Sequence, residues 1–331
     1  MEVPNPDDIL GAIRYLSQKR VPATRAAMLD DESMTKWNKD EKALGLALDE
    51  LIANGSILAS DGAYALTPQG SKRAQEIDAR EFGEWMIACE HSAAYHRLCE
   101  QLYGSDLCQF NMMTQTQLEK LLDVLNLSSG QSALDLGCGI GTLTEYIADR
   151  TGGIVMGIDF SPEAIAFAQE RLGEQGGRVS FQVMDMDDLA LMPKSFDAVL
   201  SVDTLYFVKE LQKTAVAIKN ALREQGRMAA FFSAKIAEEE ARELLEPEGT
   251  LLARALKESG LAFETWDFTA DEGQFWENQL RIARELRNEF EDEGNLAIYE
   301  GRIGEATREL GLFMAGRRSR YLYRAWNRTT A

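Results

Sequence analysis

The sequence predicts an α/β fold, a mostly parallel sheet wrapped by helices, preceded by a smaller and mainly helical unit. Three observations predict it. An apolar run ends in an acid at Asp135, and glycines follow at every second position, Gly137, Gly139 and Gly141. Three further apolar strands, Ile154 to Asp159, Val179 to Val183 and Phe196 to Val202, recur downstream. Acids and hydroxyls follow their carboxyl ends, where open α/β sheets bind ligands.

In chain order, Asp8 to Lys19 reads as a helix with apolar Ile9, Leu10, Ile13 and Leu16, and Ala23 to Leu29 and Lys39 to Asn54 read as two more. Gly55 to Ala59 and Ala63 to Thr67 are short strands around Asp61-Gly62, a hairpin signal. Thr67-Pro68 then opens a helix with Thr67 as its cap. Residues 81–131 form a connector, helical over 81–103 and 114–127. Tyr95 to Met113 within it is rich in aromatic, amide and sulfur side chains.

The glycine loop is the centre of the chain. Its strand, tight turn and following helix (Thr142 to Ala148) make the opening of a nucleotide-cradling unit. The spacing is G-x-G-x-G, because Thr142 stands where a dinucleotide fingerprint needs its third glycine, and no P-loop lysine follows. Asp159 lies 18 residues past Gly141, where an acid accepts hydrogen bonds from ribose hydroxyls. Phe160 is placed to lie on an adenine face. Ser161-Pro162-Glu163 is a helix start. Asp185 and Met186 follow the third strand, and Ser201, Asp203 and Tyr206 mark the end of the fourth.

Taken together, Asp135-Leu136-Gly137-Cys138-Gly139-Ile140-Gly141, Gly157-Ile158-Asp159-Phe160-Ser161-Pro162, Asp185 and Phe196-Asp197-Ala198-Val199 resemble the class I S-adenosylmethionine-dependent methyltransferases of small-molecule type. The resemblance implies a Rossmann-like seven-stranded sheet. Its fifth strand would be Gly226 to Ser233, its sixth Ala262 to Thr269, and its last, antiparallel beside the fifth, Ser319 to Asn327. The implied cofactor is S-adenosyl-L-methionine, with S-adenosyl-L-homocysteine as product. Asp135, Gly137, Cys138, Gly139, Gly141, Asp159, Phe160, Asp185, Met186 and Ser201 are the candidate cofactor residues. By the same resemblance Tyr103, Gln109, Asn111 and Met112 are candidates for a cover over cofactor or substrate.

Residues 270–318 exceed what the resemblance requires. Phe275, Trp276, Leu280, Ile282, Leu286 and Phe290 recur at near-helical spacing, and a second helix runs from Asn295 to Leu310. This helical insertion is read as a lid over the acceptor, with a plain extension of the domain or a subunit interface as the alternative. The N-terminal stretch LDELIANGSILASDGAYALTPQGSKRA resembles a winged helix. Residues 1–80 carry 10 Lys and Arg against 13 Asp and Glu, and the would-be recognition helix carries Asp40, Glu41, Asp49 and Glu50 against Lys39 and Lys42. Phosphate repulsion opposes groove binding there, so the expected role is dimerisation or substrate capping. The expected organisation is a winged-helix-like domain over 1–80, a connector and cover over 81–131, and a methyltransferase domain over 132–331.

The formal net charge of −19 opposes non-specific nucleic-acid binding and adhesion to anionic membranes. No apolar run reaches membrane-spanning length, and Met1 to Asp8 has no signal-peptide core. Cys89, Cys99, Cys108 and Cys138 form no C-x-x-C pair and read as free thiols in a reducing cytoplasm. His91 and His96, the two histidines, lie five residues apart and off one helical face, so no metal site is expected.

For chemistry, Asp203 and Tyr206 are the catalytic candidates. Either can accept a hydrogen bond from an acceptor, and Tyr206 can instead form an aromatic wall against a cation. The expected reaction is methyl transfer to nitrogen or oxygen of a small molecule. A cofactor-sensing DNA-binding regulator and a non-catalytic cofactor-binding scaffold are the alternatives from other classes.

Overall fold

Alternating apolar strands and amphipathic helices fold as two units, Met1–Phe82 and Gly83–Ala331. The computed structural model describes residues 5–18, 21–30, 41–173 and 177–328.

The first unit holds α1 (Pro6–Gln18), β1 (Ala23–Thr24), α2 (Arg25–Asp30), α3 (Glu41–Ala53), β2 (Ile57–Ser60), β3 (Ala63–Leu66) and the start of α4 (Pro68–Glu90). Its strands form an antiparallel sheet in the order β1-β3-β2. Ile9, Leu10, Ile13, Leu44, Leu48, Leu51 and Ile57 make one core. Asp61 and Gly62 both take positive φ, 52° and 76°, as a tight hairpin turn requires. Ala23 and Thr24 are strand rather than helix, because they pair with Tyr64 and Ala63, and the Thr24 hydroxyl then caps α2 by accepting from the Ala27 N–H. Lys19, Lys39 and Asp40 lie outside the described residues.

The second unit contains a seven-stranded sheet in the order β6-β5-β4-β7-β8-β10-β9. The strands are β4 (Ser132–Leu136), β5 (Ile154–Asp159), β6 (Val179–Val183), β7 (Phe196–Val202), β8 (Leu222–Lys235), β9 (Leu261–Asp267) and β10 (Arg318–Asn327). Those from β4 to β8 are parallel to their neighbours, and β10 inserts antiparallel between β8 and β9, as the sequence implies. Leu134, Leu136, Ile158 and Val199 enter one core, and Ala133, Val155, Ala198 and Leu200 another. Burial on both faces explains the nearly unbroken apolar strands.

α5 (Ala93–Tyr103) packs with the helical insertion, and around the sheet run α6 (Gln115–Leu125), α7 (Thr142–Thr151), α8 (Pro162–Leu172), α9 (Leu211–Ala221) and α10 (Leu251–Glu258). The insertion holds α11 (Thr269–Glu285), α12 (Arg287–Asp292) and α13 (Leu296–Met314), three helices where the sequence spacing suggests two. Another difference from the sequence reading lies at Ser92. The expected helix over 81–103 breaks because the Ser92 hydroxyl caps α5 through the Tyr95 N–H, while Glu293 accepts from the Ser92 hydroxyl and the Ala94 N–H. α9 begins only at Leu211, because the Asp187 carboxylate holds the preceding turn by accepting from the Lys209 and Glu210 N–H groups. Among the described residues no helix is long and apolar enough to cross a membrane.

Candidate active site

The strand β4 delivers the chain to the middle of the sheet, and the glycine loop turns it back into α7. The Gly137 and Cys138 N–H groups both donate to the Ile158 carbonyl, at 2.8 and 2.9 Å, which pins the loop across the end of β5. Gly137, Gly139 and Gly141 take φ of 74°, 55° and 83°, the left-handed region where a Cβ is strained. At Gly141 a Cβ would also stand 2.3 Å from the Phe181 ring, and at Gly139 it would stand 3.0 Å from the Met86 sulfur of α4. Cys138 packs where Gly157 has no side chain: a Cβ there would stand 2.8 Å from its sulfur. Burial first, and then the charges of Asp135 and Asp159, push the Cys138 thiol well up, which keeps it protonated in the space that Gly157 leaves.

Two acids lie under and beside this loop. Asp135 is buried and accepts from the Thr144 hydroxyl at 2.7 Å, so it braces α7 against β4 from below. Burial pushes its carboxyl up to about 7, the Thr144 bond opposing and Asp159 adding to the shift. Asp159 accepts from the Gly139 N–H at 2.9 Å and the Ser161 N–H at 3.0 Å. Burial raises its carboxyl too, and backbone bonds from Ser161, Gly139 and Phe160 oppose the rise. A carboxylate has about four acceptor positions, so these three bonds leave Asp159 able to accept one more. Phe160 is half-buried, and Ser161 caps α8 by accepting from the Ala164 N–H at 3.2 Å. Past β6, the Asp185 carboxylate accepts from the Asp187 N–H at 2.9 Å, and the Met186 carbonyl accepts from the Thr214 hydroxyl at 2.9 Å.

At the end of β7, the Ser201 hydroxyl lies 2.7 Å from that of Thr204, which donates to the Leu136 carbonyl at 2.8 Å. Ser201 is fully buried and ties the end of β7 to the end of β4. Asp203 has φ 59°, an uncommon conformation for a non-glycine residue and one that the surroundings must impose. They do so through Arg320, whose guanidinium donates to both Asp203 oxygens at 2.5 and 2.9 Å, and through the Met112 N–H at 2.9 Å. Tyr206 exposes 38 % of its surface and meets Phe207 at 4.7 Å and Phe232 at 6.2 Å between ring centroids. Desolvation first, and next the Asp203 charge, hold the phenol above its ordinary value and therefore protonated.

The four cover candidates are brought together. The Tyr103 hydroxyl donates to the Asn111 carbonyl at 2.7 Å, and the Gln109 amide donates to the Asn111 side chain at 3.2 Å and the Met113 carbonyl at 3.1 Å. Met112 joins this knot to Asp203, and the Thr142 hydroxyl joins it to the glycine loop by donating to the Leu107 carbonyl at 2.5 Å. The histidines stand apart from it. His96 has one ring nitrogen 2.9 Å from Asp106 and the other 2.7 Å from the Glu90 carbonyl. Burial lowers its pKa, but Asp106 and Glu90 outweigh that and raise it, so His96 is a structural link. The His91 ring meets Phe167 edge-on at 5.7 Å.

Comparison with known proteins decides what such a loop belongs to. The methyltransferase-domain family pattern matches residues 134–230. The ubiquinone biosynthesis O-methyltransferase of Xylella fastidiosa is 30% identical over 227 residues, which cover 58% of this chain and 91% of that enzyme. The chain belongs to the S-adenosylmethionine-dependent methyltransferases. It is also 30% identical over 113 residues to methyltransferase GfsG of Streptomyces halstedii, spanning 41% of that protein and 34% of itself. The fold matches the Haemonchus contortus phosphoethanolamine N-methyltransferase 2 bound to S-adenosyl-L-methionine. That match has a TM-score of 0.57 and 18% identity, over 88% of this chain and 74% of that one.

As a methyltransferase the chain uses S-adenosylmethionine, and its cradle suits that ligand. Three glycines keep side chains off the loop, and a buried acid with a spare acceptor position stands beside it. The sequence reading missed Met86 over Gly139, Thr204 under Gly137, Arg320 on Asp203 and Arg318 on Met112. The signal for the last two was a pair of arginines at period two, on one face of a strand. Among the described residues no group of three or more His, Cys, Asp and Glu is placed to hold a metal ion.

Proposed function

We propose that this methyltransferase moves a methyl group to a nitrogen or oxygen of a small-molecule acceptor, by in-line displacement at the carboxyl end of β7. The observation that carries the reading is Asp203, held in a strained conformation by Arg320 and Met112 between the glycine loop and the cover. S-adenosylmethionine, when bound, supplies an electrophilic methyl on a sulfonium. In this reading the Gly137 to Gly141 backbone and Asp135 beneath it form the bed for the methionine part. Asp159 accepts from a ribose hydroxyl, and Phe160, Asp185 and Met186 border the adenine. The knot of Tyr103, Gln109, Asn111 and Met112 excludes water above the reacting atoms. Such positioning is worth up to roughly 7–11 kcal/mol for well-oriented reactants.

Asp203 is committed to a guanidinium, which supports a role as an orienting hydrogen-bond acceptor rather than as the proton acceptor. Tyr206, protonated, offers a donor or a ring face. A free amine needs no base, and an acidic phenol needs little. The chain's net charge of −19 favours a cationic amine slightly. Similarity to both an O-methyltransferase and an N-methyltransferase supports a small acceptor and leaves its atom to experiment. The exposed residues of α3, which include Glu41, Asp49 and Glu50, support dimerisation or capping over DNA binding for the winged-helix-like first unit.

The test is calorimetric titration with S-adenosylhomocysteine, with NAD as control, followed by mass spectrometry of a panel of amines, phenols and carbon acids. Binding of the first ligand alone, with methylation of an amine or phenol, supports the proposal. Binding without turnover on any acceptor would favour a scaffold, and methylation confined to carbon would overturn the acceptor class.

A further inference from the structure

A buried ring of polar contacts leaves Met112 and returns to it. The Met112 N–H donates to Asp203 at 2.9 Å, and Asp203 takes the Arg320 guanidinium at 2.5 and 2.9 Å. Arg320 donates to the Ser233 hydroxyl at 3.1 Å, and that hydroxyl donates to Glu272 at 2.9 Å. Glu272 receives the Arg318 guanidinium on both oxygens, at 2.7 and 2.9 Å, and Arg318 reaches back to the Met112 sulfur at 3.5 Å. All six residues are buried, and both arginine side chains are fully enclosed.

The ring draws on separate parts of the unit. Met112 is in the cover, Asp203 follows β7, Ser233 lies in β8, and Arg318 and Arg320 share one face of β10. Glu272 comes from the first turn of α11 in the insertion. Burial alone would raise the Glu272 carboxyl, but the hydrogen bonds and charge of Arg318, and then the charge of Arg320, hold it below the usual range. The insertion therefore meets the site through a charged acid. Glu309 of α13 also pairs with Arg318 and with Lys235, but lies outside the ring.

Stability alone gives no reason to expect this arrangement. Buried ion pairs are often matched or surpassed in stability by apolar residues of similar volume. What a closed ring does supply is registration: each member has one position, and a shift of α11 must move Met112 and Asp203.

We propose that Glu272, Ser233 and Arg318 are positioning residues, through which the helical insertion sets the register of Met112 and Asp203 at the reacting centre. The insertion is then coupled to the cofactor bed rather than hinged freely above the acceptor. This rests on the reading that places Asp203 beside the reacting atoms.

The test is hydrogen exchange on the full chain with and without S-adenosylhomocysteine. In the wild type the ligand slows exchange at residues 137–141 and, through the ring, at residues 269–285, by about fivefold or more, the low end of site-to-site coupling. Ser233→Ala opens the ring at a neutral link and leaves within it only the contact of Arg318 with the Met112 sulfur, a weak acceptor, and Glu272→Gln opens it at the acid. Both are expected to keep protection at 137–141 and lose it at 269–285. Glu309→Gln, which removes a buried acid from Arg318 but spares the ring, is expected to keep both. Transmission that survives in Ser233→Ala, or that is lost equally in Glu309→Gln, would overturn the proposal, as would a wild type with no protection at 269–285. No protection at 137–141 in the wild type would instead sink the cofactor-bed reading on which it rests.

Discussion

Arg320 grips both carboxylate oxygens of Asp203 across 117 residues of chain, with neither side chain open to solvent. Removing one partner leaves an uncompensated buried charge, which typically costs about 3–5 kcal/mol. We expect Arg320→Met and Asp203→Leu each to destabilise by about that much, and the double variant to cost clearly less than their sum. Urea unfolding of the four proteins measures this. Additive losses would mean that the pair has no mutual dependence.

The glycines of the loop are expected to fail in different ways. At Gly141 a Cβ meets a rigid ring, that of Phe181 at 2.3 Å, so Gly141→Ala should unfold more readily than the wild type by more than the left-handed strain alone, about 1–2 kcal/mol. At Gly139 the nearest atom is the flexible Met86 sulfur at 3.0 Å. Gly139→Ala should cost about the strain term in stability and lose S-adenosylhomocysteine affinity. Thermal melts with and without ligand separate the two, and equal destabilisation by both would defeat this account.

Asp159→Ala should abolish detectable S-adenosylhomocysteine binding in calorimetry. It removes the ribose acceptor and also leaves the Gly139 and Ser161 N–H groups without their acceptor. Each such loss is worth about 1–3 kcal/mol. Circular dichroism should show the fold retained, because the sheet cores do not include Asp159. An unchanged affinity would remove Asp159 from the site.

What the sequence makes legible here is local. Gly137 to Gly141 and Asp159 belong to one strand–helix–strand unit, so their meeting follows from chain order. The order of the sheet follows similarly from four concordant strand ends. The ring around Met112 is not local: Arg318 and Met112 are 206 residues apart, and each member has an ordinary meaning alone. Glu272 is an acid in the first turn of a helix, a position favoured for its own sake. The break at Ser92 is hidden for the same reason, because Glu293, from the distant insertion, helps to hold the start of α5. Tertiary partners of this kind leave no periodicity to read.

The buried carboxyl of Asp135 makes stability depend on pH. Burial raises it from 3.8 to about 7 in the folded chain. The folded state therefore binds more protons than the unfolded state between those values, and stability falls as pH rises through that window. The advantage is complete below the unfolded value and lost above the folded one, a total of order 4 kcal/mol at 1.36 kcal/mol per unit. Roughly 3 kcal/mol of the change falls between pH 5 and 8. Asp135→Asn cannot ionise, and its side-chain oxygen can still accept from the Thr144 hydroxyl. Its unfolding free energy relative to the wild type should therefore climb from pH 5 to about pH 7 and level off towards pH 8, as urea titrations at unit pH steps would show. A difference that stays flat across that range would mean that Asp135 is ionised in the fold throughout.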